Sequence, residues 1–157
     1  MSNTDKKDLF RKILTNKRAF YDFEIIERFE GGIVLMGTEI KSIRNGQTSF
    51  KDSYIDVVKG ELFVLNWMIN PYDKGGYVNH EPERPKKLLL HKKEITRLAA
   101  KILQKGLTLI PLSLYFKGQH LKMEIALASG KKQYDKRDAI TRREAQREME
   151  RAFKHNR

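Results

Sequence analysis

The chain has 157 residues, of which 39% are hydrophobic, and its lysines and arginines outnumber its acidic residues by 32 to 20, a formal charge of +12. This length suits one domain with an extension, and the charge favours nucleic acid as a partner, with an anionic membrane surface as the alternative. The absence of cysteine excludes disulfides and thiolate metal sites. We expect a cytoplasmic protein, because no stretch suits a membrane span or a signal peptide.

The first part of the chain predicts an extension followed by a strand. Residues 1–17 are polar apart from a few apolar positions, which suit one short helical turn against the body. Apolar and aromatic residues are dense from Ala19 to Phe29, which indicates a strand. Gly31 and Gly32 should break that strand, because glycine accepts positive φ at little steric cost.

A short helix should follow the glycines. Residues 33–36 are all apolar and indicate a short buried run. Thr38 can then cap a helix over residues 39–44, and Gly46 supplies its stop.

A hairpin and a long loop come next. Residues 53–58 and 61–69 are strand-like, and the glycine in the short link between them is a hairpin signal. Residues 70–87 hold three of the four prolines together with a pair of glycines. A loop of this length without its own structure is usually functional or mobile.

The clearest helix spans residues 92–105, where apolar residues recur at helical spacing and Gly106 should provide the C-terminal cap. Residues 107–116 and 121–127 are again strand-like. Many short strands with an inserted helix predict a mainly β, α+β fold built on a small OB-type β-barrel. An α+β sandwich stays open, because periodicity cannot show barrel closure.

The composition changes after residue 129, so we place the barrel over residues 18–129 and a basic C-terminal tail over residues 130–157. The tail contains ten lysines and arginines and five acidic residues. A helix over residues 139–154 would align three arginines on one side, which repel one another: Arg143, Arg147 and Arg151. We therefore expect the free tail to be disordered and to become helical against phosphates. A solvated charged tail without a specific site is the alternative.

No pattern in the sequence indicates catalysis. Gly32 to Thr38 faintly resembles a phosphate loop but lacks the lysine that such a loop requires. The histidines are scattered without metal-ligand spacing, and no serine lies in a nucleophile-elbow pattern. We expect a binding protein that is not an enzyme and has no cofactor.

Six strings of sequence together resemble the SsrA-binding protein family, also called small protein B. They stand in family order over about residues 15–150: Asn16–Ala19, Phe29–Gly32, Gly37–Ser42, Asp52–Tyr54, Lys86–Lys92 and Gly130–Arg137. The resemblance implies an OB-type barrel with flanking helices that binds the tRNA-like domain of transfer-messenger RNA (tmRNA). It also implies delivery to stalled ribosomes for trans-translation, with an elongation factor complex that carries the aminoacylated RNA. The tail would occupy the empty mRNA channel at the rRNA of the decoding centre, and the protein would act as a monomer.

The resemblance also implies roles for individual residues. Seven of them would form the RNA face: Asn16, Lys17, Tyr21, Glu30, Leu89, His91 and Lys122. Amide and imidazole groups can bond base edges or 2′-hydroxyls, tyrosine can stack, and lysines can contact phosphates. Glu30 can accept from a base amino group, although a surface charge at a strand end is its simpler explanation. Together with the arginine column, the ribosome-binding tail comprises ten residues: Gly130, Lys131, Lys132, Tyr134, Asp135, Lys136, Arg137, Arg143, Arg147 and Arg151.

Three other functions stay open at this point. A general single-stranded RNA-binding OB protein would favour unstructured RNA through exposed aromatic residues. A ribosomal structural protein would thread its basic tail permanently through rRNA. A nuclease or other RNA-processing enzyme would turn over RNA, with carboxylates or histidines as its catalytic groups.

Overall fold

The computed structural model describes residues 10–104, 106–131, 144–149 and 151. Residues 144–149 and 151 are helical. The other elements follow in chain order: β1 (Phe10–Thr15), α1 (Lys17–Asp22), β2 (Phe23–Ile33), α2 (Gly37–Arg44), β3 (Thr48–Ser49), β4 (Tyr54–Val58), β5 (Glu61–Leu65), β6 (Met68–Ile69), β7 (Lys86–Leu89), α3 (Lys92–Ile102), β8 (Leu107–Lys117) and β9 (His120–Gly130).

The larger sheet closes on itself. Hydrogen-bonded neighbours run from β8 through β4, β5, β7, β2 and β9 and then back to β8. These pairings are antiparallel, and β1 adds to the second half of β8 while β4 meets the first half. β3 and β6 form a separate two-stranded sheet. The predicted mainly β barrel is therefore confirmed, and the sandwich alternative is wrong.

Apolar side chains fill the barrel and also support α1 on its outside. The interior cluster contains Trp67, which is fully buried and whose indole Nε1 donates to Thr48 Oγ1 at 2.7 Å. A second cluster lies between α1 and the outer face of β8 and β9. It forms where Ala19 packs on small and aliphatic side chains of those strands: Ile110, Leu112, Ala126 and Ala128. Burial of this face fixes α1 against the barrel.

Two predictions at the N-terminal end were wrong. The predicted helical turn is the strand β1, because pairing with β8 satisfies its backbone groups. The start of the predicted strand is the helix α1, because the Asn16 side chain accepts from the Ala19 backbone N–H and caps it. The glycines do not end β2. Gly31 does not have positive φ, and a Cβ there would meet Leu90 Cδ1 at 2.7 Å.

The segment before α2 also differs from the prediction. Val34 and Met36 are exposed, so this run is not buried. The helix begins one residue before Thr38, and Glu39 caps it by accepting from the Met36 backbone N–H at 2.8 Å. The predicted strand over 61–69 is divided, because Asn66 has a φ of 58° and turns the chain between β5 and β6.

Other elements were predicted correctly. The β4–β5 hairpin turns at Lys59 and Gly60, both with positive φ. The long helix α3 begins at Lys92 as predicted but ends at Ile102 with Leu103 as its C-cap, so the predicted cap at Gly106 is wrong. Gly106, with a φ of 85°, lies in the turn before β8. β8 and β9 form the expected hairpin and extend beyond the predicted runs. The boundary between barrel and tail stays a prediction.

Candidate nucleic-acid interface

One open cleft collects four of the seven predicted RNA-face residues, and its volume is about 390 Å³. These residues are Glu30, Leu89, His91 and Lys122. Strand register brings them together, because Gly32 of β2 lies opposite Leu89 of β7 and also opposite Lys122 of β9. A Cβ at Gly32 would lie 3.6 Å from Leu89 Cβ and 3.9 Å from Lys122 Nζ. The missing side chain leaves the floor of the cleft open to a ligand.

Two carboxylates line this cleft, Glu30 and Glu94, and Glu94 Oε1 accepts from the His91 backbone N–H at 3.4 Å. The Tyr115 hydroxyl donates to the Glu30 carboxylate, and Lys117 Nζ lies 3.6 Å from Glu30 Oε1. The Tyr115 hydrogen bond is the main cause that lowers the pKa of Glu30; burial opposes it, and Lys117 and Lys122 reinforce it. Burial and the bond to Glu30 raise the pKa of Tyr115. Glu30 is therefore an ionised acceptor at neutral pH, with one oxygen held by a phenol that keeps its proton.

The cleft offers several kinds of contact within one small area. Leu89 is half exposed and apolar, so it can pack on a base or a sugar. His91 is exposed at the start of α3, and Lys122 is partly exposed on β9. The cleft therefore combines two carboxylates, an imidazole, an ammonium group and an apolar side chain. This mixture suits a folded RNA whose base edges, hydroxyls and phosphates lie close together.

The structure gives Asn16 a role in the fold. Its Nδ2 donates to Pro111 O at 2.8 Å, and its backbone N–H donates to Leu112 O at 2.7 Å. These carbonyls lie at the β-bulge where the β8–β9 register shifts between Pro111 and Ser113. Because Oδ1 also caps α1, the hydrogen-bonding groups of Asn16 are engaged within the fold. Its predicted contact with RNA stays a prediction.

The three predicted RNA-face residues near α1 are not part of the Glu30 cleft. Asn16 lines a second cleft of about 550 Å³ beside Lys51 and Tyr54. Lys17 is exposed in the first turn of α1, and Tyr21 is half-buried near its end. These residues therefore form a separate group at the α1 end of the barrel.

Sequence reasoning missed the outward side chains that lie between these two groups. The Arg28 guanidinium lies 5.6 Å from the centre of the Phe20 ring, and Arg28 Nη1 lies 3.1 Å from Glu124 Oε1. Glu124 in turn lies opposite Glu30 in the strand register. The alternation of polar residues along β2 and β9 could have predicted these outward side chains, because residues two apart lie on the same face of a strand.

The first residues of the tail contact α1. Gly130 ends β9, and Lys131 then donates from its backbone N–H to Asp22 O at 3.0 Å and from Nζ to Phe20 O at 3.2 Å. Arg147 and Arg151 are helical and exposed. The remaining predicted tail residues lie outside the described residues: Lys132, Tyr134, Asp135, Lys136, Arg137 and Arg143. The disorder of the free tail and its ribosome contacts stay predictions.

Neither a membrane span nor a metal site is found in the part of the chain that the structure describes. None of the described helices has both the length and the apolar composition that crossing a membrane requires. The described histidines and carboxylates form no group of three or more that could hold a metal ion.

The chain is similar to known proteins of one family. The SmpB protein family matches residues 13–155. An SsrA-binding protein of Carboxydothermus hydrogenoformans is 51% identical over 142 residues, which cover 90% of this chain and 95% of that protein. One of Syntrophobacter fumaroxidans is 54% identical over 147 residues, with coverages of 94% and 91%. A solved structure described as "tmRNA-SmpB: a journey to the center of the bacterial ribosome" has a TM-score of 0.66 and 46% identity, covering 82% of this chain and 94% of that one. The chain therefore belongs to the SmpB protein family.

Proposed function

We propose that this protein binds the tRNA-like domain of tmRNA and delivers it to stalled ribosomes for trans-translation in the cytoplasm. The main support is one cleft, on a barrel that is similar to a solved tmRNA–SmpB structure, that brings together four predicted RNA-face residues: Glu30, Leu89, His91 and Lys122. The protein acts by binding and positioning RNA, not as an enzyme.

The cleft supports recognition of a folded RNA by combined contacts. Lys122 contacts a phosphate, and Glu30 accepts from a base amino group through the oxygen that Tyr115 does not use. Leu89 packs on a base or ribose, and His91 bonds a base edge or a 2′-hydroxyl. Lys17 and Tyr21 extend the contact at the α1 end. Mixed polar and apolar contacts confer a specificity that charge alone cannot supply.

The tail carries the second half of the proposed function. Lys131, the second residue of the tail, donates to two backbone carbonyls of α1, so the tail leaves the barrel beside the predicted RNA-face group on that helix. The tail then occupies the empty mRNA channel, where a helix with Arg143, Arg147 and Arg151 along one side lies against rRNA. The elongation factor complex that carries the aminoacylated RNA brings the assembly to the ribosome.

General single-stranded RNA binding is less well supported. That function needs aromatic rings free to stack on successive bases. Phe10 is exposed but packs on Tyr115 with ring centroids 5.0 Å apart, and Phe20 is covered by the Arg28 guanidinium. These rings are already engaged with neighbouring side chains, so the barrel lacks an open stacking platform there.

A binding competition tests the proposal directly. The full chain is titrated into labelled tRNA-like domain at fixed moderate salt, and unstructured RNA of the same length is the competitor. We expect the folded RNA to be bound far more tightly, because the cleft reads shape together with charge. Equal affinity for both RNAs would overturn the proposal. Sequencing of the RNA that copurifies with the protein provides an independent check, and tmRNA should predominate.

A further inference from the structure

The connection between β6 and β7, residues 70–85, holds two apolar side chains out into solvent at its tip. Tyr77 is fully exposed and Val78 is 78% exposed. The two are adjacent in sequence, and we call the segment 70–85 the arm. Single large apolar side chains on a surface are unremarkable, whereas contiguous exposed apolar area marks candidate interaction sites.

Buried contacts hold the base of the arm. The His80 ring is buried, with Nε2 2.8 Å from Ile69 O and Nδ1 2.9 Å from Thr38 Oγ1. The backbone N–H of Ile69 donates to Pro82 O at 3.0 Å. These bonds fasten the arm to β6 on one side and to α2 on the other.

A cluster of buried charges secures the end of the arm that enters β7. Arg84 donates to the fully buried Glu39 carboxylate at 2.5 Å. The Lys86 ammonium is fully buried and donates to Trp67 O at 2.5 Å and to Pro82 O at 3.0 Å. Release of the arm would break the Arg84–Glu39 ion pair and the bond from Lys86 to Pro82 O, and loss of a partner from a buried charge opposes that release.

The tip has its own closure. The Asn79 side chain accepts from the Tyr72 backbone N–H at 3.1 Å and donates to Tyr72 O at 2.8 Å. A Cβ at Gly75 would come within 2.9 Å of Asn79 Nδ2, and Gly76 has a φ of 57°. The turn that presents Tyr77 is therefore closed and preorganised, which reduces the ordering cost of docking.

The charge of the arm distinguishes between an RNA and a protein partner. Its exposed charged side chains carry one positive and three negative charges, a balance of −2 in a chain of +12: Asp73, Lys74, Glu81 and Glu83. Glu39 neutralises Arg84. A phosphate backbone would be repelled by this rim, and of the two tip residues only Tyr77 offers a ring that could stack on a base. A basic protein surface is electrostatically complementary to it.

We propose that the arm docks Tyr77 and Val78 into an apolar pocket, ringed by basic side chains, on a protein of the stalled-ribosome complex. This proposal rests on the proposed function, which brings the protein to the stalled ribosome. The tyrosine and valine supply the buried anchor, and Asp73, Glu81 and Glu83 supply the surrounding charge.

Site-specific crosslinking tests the partner class. The full chain with Tyr77→p-benzoylphenylalanine is bound to tmRNA and purified stalled ribosomes and then irradiated. We expect a crosslink that protease destroys, nuclease leaves intact and mass spectrometry assigns to a protein of the complex. The same label at Lys59, the tip of the β4–β5 hairpin, should not give this product. A crosslink to RNA, or none at position 77, would overturn the proposal.

Substitutions test whether the anchor contributes to binding. The double variant Tyr77→Ser and Val78→Ser should weaken ribosome binding roughly tenfold or more, as loss of an interface anchor does, and leave tmRNA affinity unchanged. Leu103→Ser is the control, because Leu103 is 87% exposed and lies outside the arm. Asn79→Ala keeps the anchor but opens the tip, so it should weaken ribosome binding to a smaller extent.

The outcomes separate this proposal from the proposed function. If the wild-type chain fails to bind tmRNA, the proposed function fails, and the crosslink from position 77 on purified stalled ribosomes alone then supports or overturns the arm proposal. If the wild-type chain binds both tmRNA and ribosomes, and the double variant binds ribosomes equally well, only the arm proposal is wrong.

Discussion

Replacement of Lys122 by methionine should remove one phosphate contact from the RNA face without disturbing the barrel. Lys122 of β9 is partly exposed and lies opposite Gly32 of β2 and Tyr115 of β8. Methionine keeps an apolar side chain of similar length at this position. A hydrogen bond to a charged group contributes about 1.5–3 kcal/mol, which corresponds to roughly a ten- to hundredfold loss of affinity for the tRNA-like domain. The slope of log affinity against log salt should also fall by about 0.7–0.9, the value for one phosphate.

Titrations of the tRNA-like domain at four or more salt concentrations measure both quantities. Lys59→Met is the matched control, because it removes the same charge at a hairpin tip away from the cleft. If both variants lose affinity equally, total charge governs binding and the cleft does not. An unchanged salt slope for Lys122→Met would show that its ammonium contacts no phosphate.

Three further changes test the fold and its division of labour. Gly31→Ala should lower the free energy of unfolding by about 1–2 kcal/mol, because its Cβ would press on Leu90, whereas Gly32→Ala fits at ordinary contact distances and should be nearly neutral. Urea unfolding compares the two, and equal stabilities would contradict the close approach at Gly31. Asn16→Ala should cost about 1–2 kcal/mol in the same assay, because it removes the cap of α1 and the bond to the β8 bulge; full stability would show that the bulge needs no such support. Deletion of residues 132–157 should leave thermal melting and tmRNA affinity unchanged and abolish ribosome rescue in a translation assay; an unfolded product would place the tail within the folded body.

Local sequence patterns predicted much of the fold. The hairpin at Lys59 and Gly60 was predictable because a two-residue turn needs positive φ at both positions. The helix α3 was predictable because its apolar residues recur at helical spacing. Four cleft residues were predicted only from the family resemblance, since no local pattern indicates that they meet: Glu30, Leu89, His91 and Lys122.

Two of the mispredicted features depend on contacts distant in sequence. β1 is a strand because β8 offers it hydrogen-bonding partners, and a polar extension with few apolar residues gives no local sign of that pairing. Gly31 was interpreted through its backbone freedom, whereas the structure places it against the segment that ends β7, where a Cβ would lie 2.7 Å from Leu90 Cδ1 and 3.3 Å from Leu89 O. Such neighbours are set by barrel closure.

The sequence by itself determined the partner class and the main elements, because charge, periodicity and turn chemistry are local properties of the chain. The tertiary structure decided which outward side chains meet, because strand register brings β2, β7 and β9 together at Gly32. It also decided that the long loop is a fixed arm, since the contacts of His80, Arg84 and Lys86 join residues far apart in sequence. Local patterns cannot encode these contacts, because each depends on the closed barrel.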